Sequence, residues 1–232
     1  MDLKRRAEEL ELIDLGPPHY TAREYQECLR QLGRIGRILG GNRSSLKAFS
    51  RLYGEVGSIL DVGCGGGHFA RACARLYPNA RVVGCDLSAE AIAYAKDTSE
   101  GKGLTNLTFE HQTEKRLEGA PGSYDLITAT LVCHHMRDDE LVHFLKQALR
   151  LARVGIVLCD LHRHPLALLS FAAIAPLLFP NRLILQDGFL SIKRGFLRRD
   201  WQGYLNEAGV APSDYEIRWH PFFRWTIVVR KR

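Results

Sequence analysis

The residues most strongly indicative of ligand chemistry in this chain are an acid and three glycines at alternate positions. They are Asp61, Gly63, Gly65 and Gly67, and they follow an apolar run. Glycine lets the backbone approach a ligand closely, and free N–H groups at the start of the following helix attract anions. A second apolar segment ends in Asp86, whose carboxylate can accept two hydrogen bonds from ribose hydroxyls. This order of strand, glycine loop, helix and strand ending in an acid predicts a nucleotide-binding crevice in an α/β sheet.

The spacing of the glycines distinguishes two classes of cofactor. A dinucleotide fingerprint has the form Gly-x-Gly-x-x-Gly or ends in Ala, but the third position here is His68. An imidazole there would block close packing of helix and strand and the approach of a pyrophosphate. The pattern Asp-x-Gly-x-Gly-x-Gly instead resembles the first motif of the class I S-adenosylmethionine-dependent methyltransferases. The resemblance covers about 52–160 and implies S-adenosylmethionine as cofactor.

The resemblance also implies a set of cofactor contacts. In this family the glycine loop holds the methionine part of the cofactor, the acid after the second strand binds the ribose, and the next residue packs beside adenine. The family often has an acid after the third strand for the adenine amine; here Thr113 takes that place by count, next to Glu114. The end of the fourth strand lies beside the transferred methyl group. For Asp86 a capping role before the next helix is the alternative. The implied cofactor-binding residues are Asp61, Gly63, Cys64, Gly65, Gly67, Asp86, Leu87, Thr113, Thr130 and Leu131.

Two histidines follow the fourth predicted strand, where many small-molecule members of the family carry a histidine. An oxygen acceptor must lose a proton during methyl transfer, and a histidine with an ordinary pKa of about 6.5 suits that task. We predict His135 as the base and His134 as the second candidate, with a structural role as the alternative for each. No metal site is predicted, because successive residues on a strand point to opposite faces.

Three further residues are predicted to line the site. Arg37 belongs to a basic stripe on the N-terminal helix, and it or Arg34 is expected to reach the cofactor carboxylate, with a solvated face as the alternative. Tyr20 and Asp187 are expected to contact the acceptor. Asp187 lies in a polar and aromatic segment, where capping a loop is an equally good interpretation.

The alternation of strands and helices predicts an α/β fold with right-handed crossovers. We expect a Rossmann-like, doubly wound, seven-stranded and mostly parallel sheet with an antiparallel last strand, the last feature being implied by the family. The predicted domains are an N-terminal helical cap over 1–54 and a Rossmann-like methyltransferase domain over 55–232. The predicted strands are 58–62, 81–86, 106–111, 124–130, 155–160, 214–219 and 222–229, and the predicted helices are 21–39, 44–53, 67–77, 88–100, 137–151 and 198–208.

An apolar helical insertion is predicted at about 162–196. Its segment 166–179 is uncharged, but it is interrupted by Pro176 and is shorter than the roughly 20 residues that a membrane-spanning helix needs. We expect a helix covering the carboxyl edge of the sheet. Three interpretations stay open: a buried core helix, an apolar wall for the substrate, and a peripheral contact with a membrane surface.

Composition places few limits on function. The chain has 232 residues and a net charge of +6, and this modest basicity gives little support to a nucleic-acid partner. Its six cysteines lack a CxxC pair and are expected to be reduced, buried thiols of a cytoplasmic protein. The N-terminus is too charged for a secretory signal.

The predicted function is transfer of a methyl group to a small lipophilic acceptor. A phenolic hydroxyl of a polyketide- or quinone-like metabolite is favoured, and carbon of an activated aromatic ring is the nearest variant. One alternative is an RNA methyltransferase, suggested by the net charge and the basic C-terminus but unsupported by any recognisable nucleic-acid motif. The other is a non-catalytic scaffold that retains the cofactor fold. The oligomeric state is not predicted.

Overall fold

A seven-stranded sheet carries the glycine loop, Asp86 and the two histidines at the ends of its strands. The computed structural model describes residues 3–38, 41–52 and 55–231. The strand order is β3-β2-β1-β4-β5-β7-β6, and β7 runs antiparallel to both of its neighbours. The predicted fold class is therefore confirmed. The strands are β1 (Ser58–Val62), β2 (Arg81–Asp86), β3 (Leu107–His111), β4 (Tyr124–Thr130), β5 (Ala152–Leu161), β6 (Tyr215–His220) and β7 (Arg224–Arg230).

The strand order reverses between β1 and β4, which pair directly. In an open α/β sheet the crevice for a ligand lies at this reversal, outside the carboxyl ends of the strands. The glycine loop follows β1 and the histidines follow β4. Both predicted halves of the site therefore meet at the same edge of the sheet.

Within the described residues, each of the six predicted helices is present with somewhat different ends, and a short helix at Leu12–Leu15 was not predicted. Thr21 and Glu24 form the predicted capping box: Glu24 N donates to Thr21 Oγ1 at 3.2 Å, and Thr21 N donates to a Glu24 carboxylate oxygen at 2.9 Å. The predicted helix ends at 39 and 53 lie outside the described residues. The helices are α1 (Leu12–Leu15), α2 (Ala22–Ile38), α3 (Gly41–Phe49), α4 (His68–Leu76), α5 (Ala89–Asp97), α6 (Asp138–Leu151), α7 (Pro165–Leu178), α8 (Arg182–Arg194) and α9 (Arg198–Glu207).

Two apolar clusters hold the helices on the two faces of the sheet. Ile59 and Val82 pack with α3, α4 and α5, whereas Leu60 and Ile127 pack with α6 and α9. Adjacent residues of one strand enter different clusters because side chains alternate between the faces of a sheet. Strands buried on both faces are typical of parallel sheets.

The insertion consists of α7 and α8, and the structure corrects one interpretation of it. The segment 166–179 is not a buried core helix, because its outer side chains are exposed, including Leu169 at 65% and Leu177 at 82%. Its inner face packs on α8, where Phe171 contacts Gly188. The helix continues through Pro176 to Leu178. One apolar face thus covers the carboxyl edge of the sheet, and the other faces outward.

We expect Gly67→Ala to destabilise the fold much more than Gly101→Ala. Both glycines have a left-handed φ, +70° and +68°, so both variants incur the backbone cost of about 1–2 kcal/mol. Only at Gly67 would the new Cβ lie 2.5 Å from the Phe109 ring; at Gly101 no described atom lies within 4 Å. Overpacking should add roughly 1–3 kcal/mol. Urea unfolding measures both losses, and equal losses would show that the loop does not pack this tightly.

Candidate active site

A large cavity lies at the carboxyl edge of the sheet. Its volume is about 1680 Å³, and its walls come from the loops after β1, β2 and β4 together with α2, α7 and α8. Sites for one small molecule usually measure about 300–1,000 Å³. The cavity is therefore large enough for a nucleotide-sized cofactor and a second molecule beside it.

Asp86 connects the glycine loop to the start of α5. Its Oδ2 accepts a hydrogen bond from Gly65 N at 2.8 Å, and its Oδ1 accepts one from Ser88 N at 2.9 Å. The capping role considered as an alternative is thus real. Each carboxylate oxygen can accept a second hydrogen bond, so a ribose can still bind there.

The glycines of the loop adopt the conformation for which glycine is suited. The φ angles of Gly63, Gly65 and Gly67 are +65°, +50° and +70°. A Cβ on Gly63 would lie 2.5 Å from a methyl carbon of Val132. The loop after β1 and the segment after β4 therefore approach each other too closely for a side chain at Gly63.

Asp61 is a buried acid whose second oxygen lacks a partner. It is 1% exposed, and among the residues that the structure describes nothing hydrogen-bonds to its Oδ2. Burial, together with the nearby charge of Asp86, raises its pKa to about 8, although a hydrogen bond from the backbone of Ala70 opposes the rise. A bound ammonium group would supply the missing charge. The site therefore fits the methionine amine of the implied cofactor.

Asp61→Asn is expected to stabilise the cofactor-free protein at pH 8.5 and to leave it almost unchanged at pH 4. The pKa of Asp61 is higher in the folded protein than in the unfolded chain. Its carboxyl group therefore leaves the free energy of unfolding unaffected below about pH 4 and lowers it progressively as the pH rises to about 8. Asparagine removes this loss, and the gain at pH 8.5 should be on the order of a few kcal/mol. Urea unfolding at both pH values measures it, with the exposed Asp97→Asn as control. A gain of the same size at both pH values would contradict the raised pKa.

The end of β4 presents two predicted cofactor contacts to the cavity. Thr130 and Leu131 both line it. Leu131 has a φ of +59°, which is rare for a residue with a branched side chain and marks backbone strain of the kind found at functional sites. Thr130 Oγ1 is buried and has no hydrogen-bond partner in the described part of the chain. This hydroxyl is therefore available to a ligand.

The two histidines lie in a 3-10 turn, Cys133–His135, and not on the strand. Their ring centroids are 4.3 Å apart, so the premise used against a metal site, that the two side chains point apart, is wrong. His134 is buried, and its Nδ1 lies 2.7 Å from Asp160 Oδ1. His135 Nδ1 lies 2.8 Å from Asp14 Oδ1. Each imidazole is therefore held by a carboxylate through Nδ1, which leaves its Nε2 free.

Glu11 lies opposite these two Nε2 atoms. Its Oε1 is 3.8 Å from His134 Nε2, and its Oε2 is 3.9 Å from His135 Nε2. The hydroxyl of Ser191 donates to Oε2 at 2.8 Å. We call Glu11, His134 and His135 the polar cluster; all three line the cavity.

Neighbouring charges shift the pKa values of groups in and beside the polar cluster. Burial lowers the pKa of His135, but its hydrogen bond to the Asp14 carboxylate and the charge of Glu11 outweigh burial and raise the pKa to about 9. Burial raises the pKa of Asp160, but the imidazole of His134 outweighs it and the pKa is lowered. His135 thus carries its proton at neutral pH, which weighs against its predicted role as the base.

Comparison with known proteins identifies the central part of the chain. Residues 59–155 match the sequence model of a family described as a methyltransferase domain. The match covers less than half of the chain. The predicted resemblance is confirmed, and the matched segment runs from β1 into β5 and carries the glycine loop, Asp86 and both histidines.

Curated relatives match only part of the chain. The ubiquinone biosynthesis O-methyltransferase of Sodalis glossinidius is 32% identical over 118 residues, which are 50% of this chain and 45% of the relative. The malonyl-[acyl-carrier protein] O-methyltransferase of Legionella pneumophila is 36% identical over 113 residues, which are 49% of this chain and 37% of the relative. The chain thus spans less than half the length of these relatives.

Solved structures share the fold over nearly the whole chain. The plantazolicin methyltransferase BpumL in complex with SAH has a TM-score of 0.70 at 16% identity, covering 94% of this chain and 92% of that one. Human N-acetylserotonin methyltransferase in complex with SAM has a TM-score of 0.66 at 20% identity, covering 91% and 56%. At these identities the likeness shows the fold alone.

The structure does not bring two predicted cofactor contacts to the cavity. Thr113 is exposed and lies outside the cavity wall, whereas the preceding residue, Gln112, lines the cavity. Gln112 N donates to Asp86 O at 2.9 Å, which extends the pairing of β3 with β2 by one residue and keeps Gln112 beside the cavity. Arg37 is exposed, and its Nε donates to Gly33 O in the same helix at 3.4 Å. The face of α2 that lines the cavity carries mostly apolar residues and two glycines instead. The solvated-face interpretation therefore describes Arg37 better.

The two predicted acceptor contacts line the cavity, but their polar atoms bind the protein itself. Asp187 lies in α8 and accepts hydrogen bonds from the backbone N–H groups of Leu12 and Ile13 at 2.8 and 3.1 Å. Tyr20 stacks on Tyr25 and donates its hydroxyl to Ile13 O at 3.3 Å. The capping interpretation of Asp187 is thus favoured. Both residues hold α1, which brings Asp14 and the adjoining Glu11 to the site.

Sequence analysis missed three acids of the site. Asp160 lies at the end of the buried strand β5, and a charged residue in that apolar run was a visible sign of function. Glu11 and Asp14 belong to the charged N-terminal segment and carried no such sign. The remaining predicted cofactor contacts, Cys64 and Leu87, line the cavity. All six cysteines are buried and unpaired, as predicted.

Proposed function

We propose that this protein transfers the methyl group of S-adenosylmethionine to a hydroxyl of a small lipophilic acceptor. One observation carries the proposal: the same cavity contains the glycine loop with Asp86 at one end and the buried polar cluster at the other, between mostly apolar walls. A cofactor on the loop would place its reactive end towards β4. An acceptor in the remaining space would then meet both the methyl group and the polar cluster.

The cofactor would be held by residues after β1, β2 and β4. Asp61 would face its ammonium group, Asp86 its ribose hydroxyls, and Gln112, in place of Thr113, the adenine side of the crevice. When bound, S-adenosylmethionine supplies a methyl group on a positively charged sulfur, ready for in-line displacement by the acceptor oxygen. The residues of the chain orient that oxygen and exclude water, which is a large part of such catalysis.

The polar cluster would receive the acceptor hydroxyl and its proton. His134 Nδ1 lies 2.7 Å from the Asp160 carboxylate, which can accept its N–H, and in the neutral imidazole that tautomer would leave the lone pair on Nε2. This nitrogen and the unpaired Oε1 of Glu11 face each other in the cavity wall. A hydroxyl directed there would find an acceptor for its proton at the moment its oxygen attacks the methyl group.

The walls of the cavity support a lipophilic acceptor. The inner face of α7 contributes Phe171, Ile174 and Leu178, and α8 contributes Leu183 and Ile184. Both curated relatives described above are named as O-methyltransferases, one of them in ubiquinone biosynthesis. We therefore favour oxygen as the acceptor atom and a phenolic hydroxyl of a quinone- or polyketide-like compound as its source.

Calorimetric titration with S-adenosylmethionine and S-adenosylhomocysteine, with NADH as control, tests the cofactor assignment first. We expect both sulfur compounds to bind in the micromolar range and NADH not to bind. A screen of phenols and hydroquinones for release of S-adenosylhomocysteine then tests the acceptor class. Binding of NADH alone would overturn the proposal, and no binding of any of the three would favour a scaffold that keeps only the fold.

An RNA substrate has less support. Two residues of the basic C-terminus bind the protein itself: Arg230 Nε donates to Arg51 O at 3.0 Å, and Lys231 Nζ donates to Ala152 O at 2.8 Å. Arg232 lies outside the described residues. RNA binding that falls steeply with salt concentration would favour this alternative.

The outward face of α7 is where the predicted contact with a membrane surface would occur. Its exposed leucines could rest on a lipid surface from which a lipophilic acceptor is taken. Among the described residues, no helix has the length and apolar character required to cross a membrane. Peripheral contact through 166–179 and a cytoplasmic location stay predictions.

A further inference from the structure

The polar cluster has the arrangement of a metal site. In metal centres a ligating histidine usually binds the ion through one ring nitrogen and donates the other N–H to a carboxylate, which fixes the orientation of the ring. Here both histidines have that second partner: Asp160 for His134, at 2.7 Å, and Asp14 for His135, at 2.8 Å. Their remaining nitrogens both face Glu11.

Glu11 provides an independent observation. Its side chain is 3% exposed, and its Oε1 has no hydrogen-bond partner among the residues that the structure describes. A buried carboxylate oxygen without a partner is unfavourable, because burial removes the water that would otherwise bind it. The orphaned oxygen is directed at the free nitrogen of His134, 3.8 Å away.

The distances fit one ion among the three side chains. A ligand atom from each of Glu11, His134 and His135 lies within 4.8 Å of the other two. Ligands about 2.1 Å from one ion stand roughly 3.0–4.2 Å apart, according to the angle between them. The separations of 3.8 and 3.9 Å between Glu11 and the two histidines lie in this range.

We propose that Glu11, His134 and His135 bind a divalent transition-metal ion of the zinc or cobalt type. Two imidazoles and one carboxylate are ligands that such ions accept, and three protein ligands leave a coordination position open. That position faces the cavity, because all three residues line it. The ion would take the place of a proton between these groups.

The backbone around the ligands is held firmly. Arg194 Nε donates to His134 O at 2.8 Å, and Arg6 Nη2 donates to the same oxygen at 3.2 Å. Arg194 also binds Glu9 O, and the hydroxyl of Ser191 donates to Glu11 Oε2. The ligands therefore sit on two segments that are already tied together, so the site is preorganised.

Coordination at the open position would lower the pKa of the acceptor hydroxyl, whose proton would pass to solvent water, and the ion would hold the resulting anion beside the methyl group. In this metal-bound form the ion takes over the part given above to His134 Nε2 and Glu11 in preparing the oxygen. This role rests on the proposed function, whereas binding of the ion does not. The structure thus assigns the acceptor a further property: its hydroxyl must be able to coordinate a metal, as phenols and catechols do.

Titration of the untagged full chain with Co²⁺ and Zn²⁺, after dialysis against EDTA, tests the site. We expect one ion per chain, and visible absorption bands from Co²⁺ bound to nitrogen and oxygen ligands. Glu11→Gln keeps the shape of the side chain and should weaken binding at least 100-fold, and His134→Gln should abolish it. The control variants Glu8→Gln and His19→Gln alter exposed residues of the same types and should bind as the wild type does.

Two further measurements make the result decisive. Thermal unfolding in EDTA should be similar for Glu11→Gln and the wild type, which shows that lost binding is not lost folding. The affinity for S-adenosylmethionine is measured in EDTA on the same samples. If S-adenosylmethionine does not bind, the proposed function is overturned but the metal result still stands. Absence of Co²⁺ and Zn²⁺ binding in the wild type, or equal binding in Glu11→Gln, would overturn the metal site.

Discussion

Asp86→Ala is expected to raise the Kd for S-adenosylmethionine at least about 100-fold. Two hydrogen bonds from ribose hydroxyls to a carboxylate would be lost, each worth about 1.5–3 kcal/mol. The substitution also removes the acceptor of Gly65 N, which Asp86 Oδ2 binds at 2.8 Å, so the glycine loop loses a support. Calorimetric titration measures the affinity directly.

Two control variants separate the ribose contact from support of the loop. Asp97→Ala removes an exposed acid of α5 and should leave the affinity unchanged. Asp86→Asn keeps an oxygen for Gly65 but loses the charge and one acceptor, so its affinity should lie between those of wild type and Asp86→Ala. If Asp86→Ala binds S-adenosylmethionine as tightly as wild type, the ribose assignment is wrong whatever happens to its Tm.

His134→Gln is expected to lower kcat about 10²- to 10⁴-fold, the usual effect of losing a proton acceptor, while the Kd for S-adenosylmethionine changes less than twofold. The affinity for S-adenosylmethionine should change little because His134 lies after β4 and binds Asp160 of β5, away from the glycine loop. Its Nε2 is needed in either form of the site: it accepts the proton in the metal-free protein, or it is a ligand of the ion that holds the oxygen. The measurement is release of S-adenosylhomocysteine with a phenol found in the acceptor screen.

His143→Gln is the matched control for this prediction. His143 lines the same cavity from α6, but its Nε2 lies 2.8 Å from Gln147 Nε2, outside the polar cluster. Its replacement should change kcat only a few-fold. A His134→Gln enzyme with full turnover, or equal losses in the two variants, would remove His134 from the reaction.

The two halves of the site differed in how far the sequence predicted them. The cofactor half lies in one stretch of chain, where the loop glycines and Asp86 follow strands recognisable from their apolar pattern. All of β1, β2 and β4 were placed at their observed bounds. The failures in this half, Thr113 and Arg37, both concerned the direction of a side chain at the end of an element.

The acceptor half depends on contacts between distant parts of the chain. Asp14 and His135 are 121 residues apart, and Glu11 and Ser191 are 180 apart. Neither pair follows from local pattern, because nothing in a charged N-terminal segment indicates where it will pack. The exposed outer face of α7 was misjudged for a related reason: an apolar run does not reveal which of its faces finds a partner.

The sequence by itself determined the sheet, the glycine loop and the family, because backbone conformation and alternating burial are local properties that residue type and spacing control. Only the tertiary structure decided which polar groups surround the acceptor. Packing turned two histidines thought to point apart towards one another, supplied each with a carboxylate, and placed an unpaired glutamate oxygen between them. Those positions result from the folding of the N-terminal segment and α8 over the edge of the sheet.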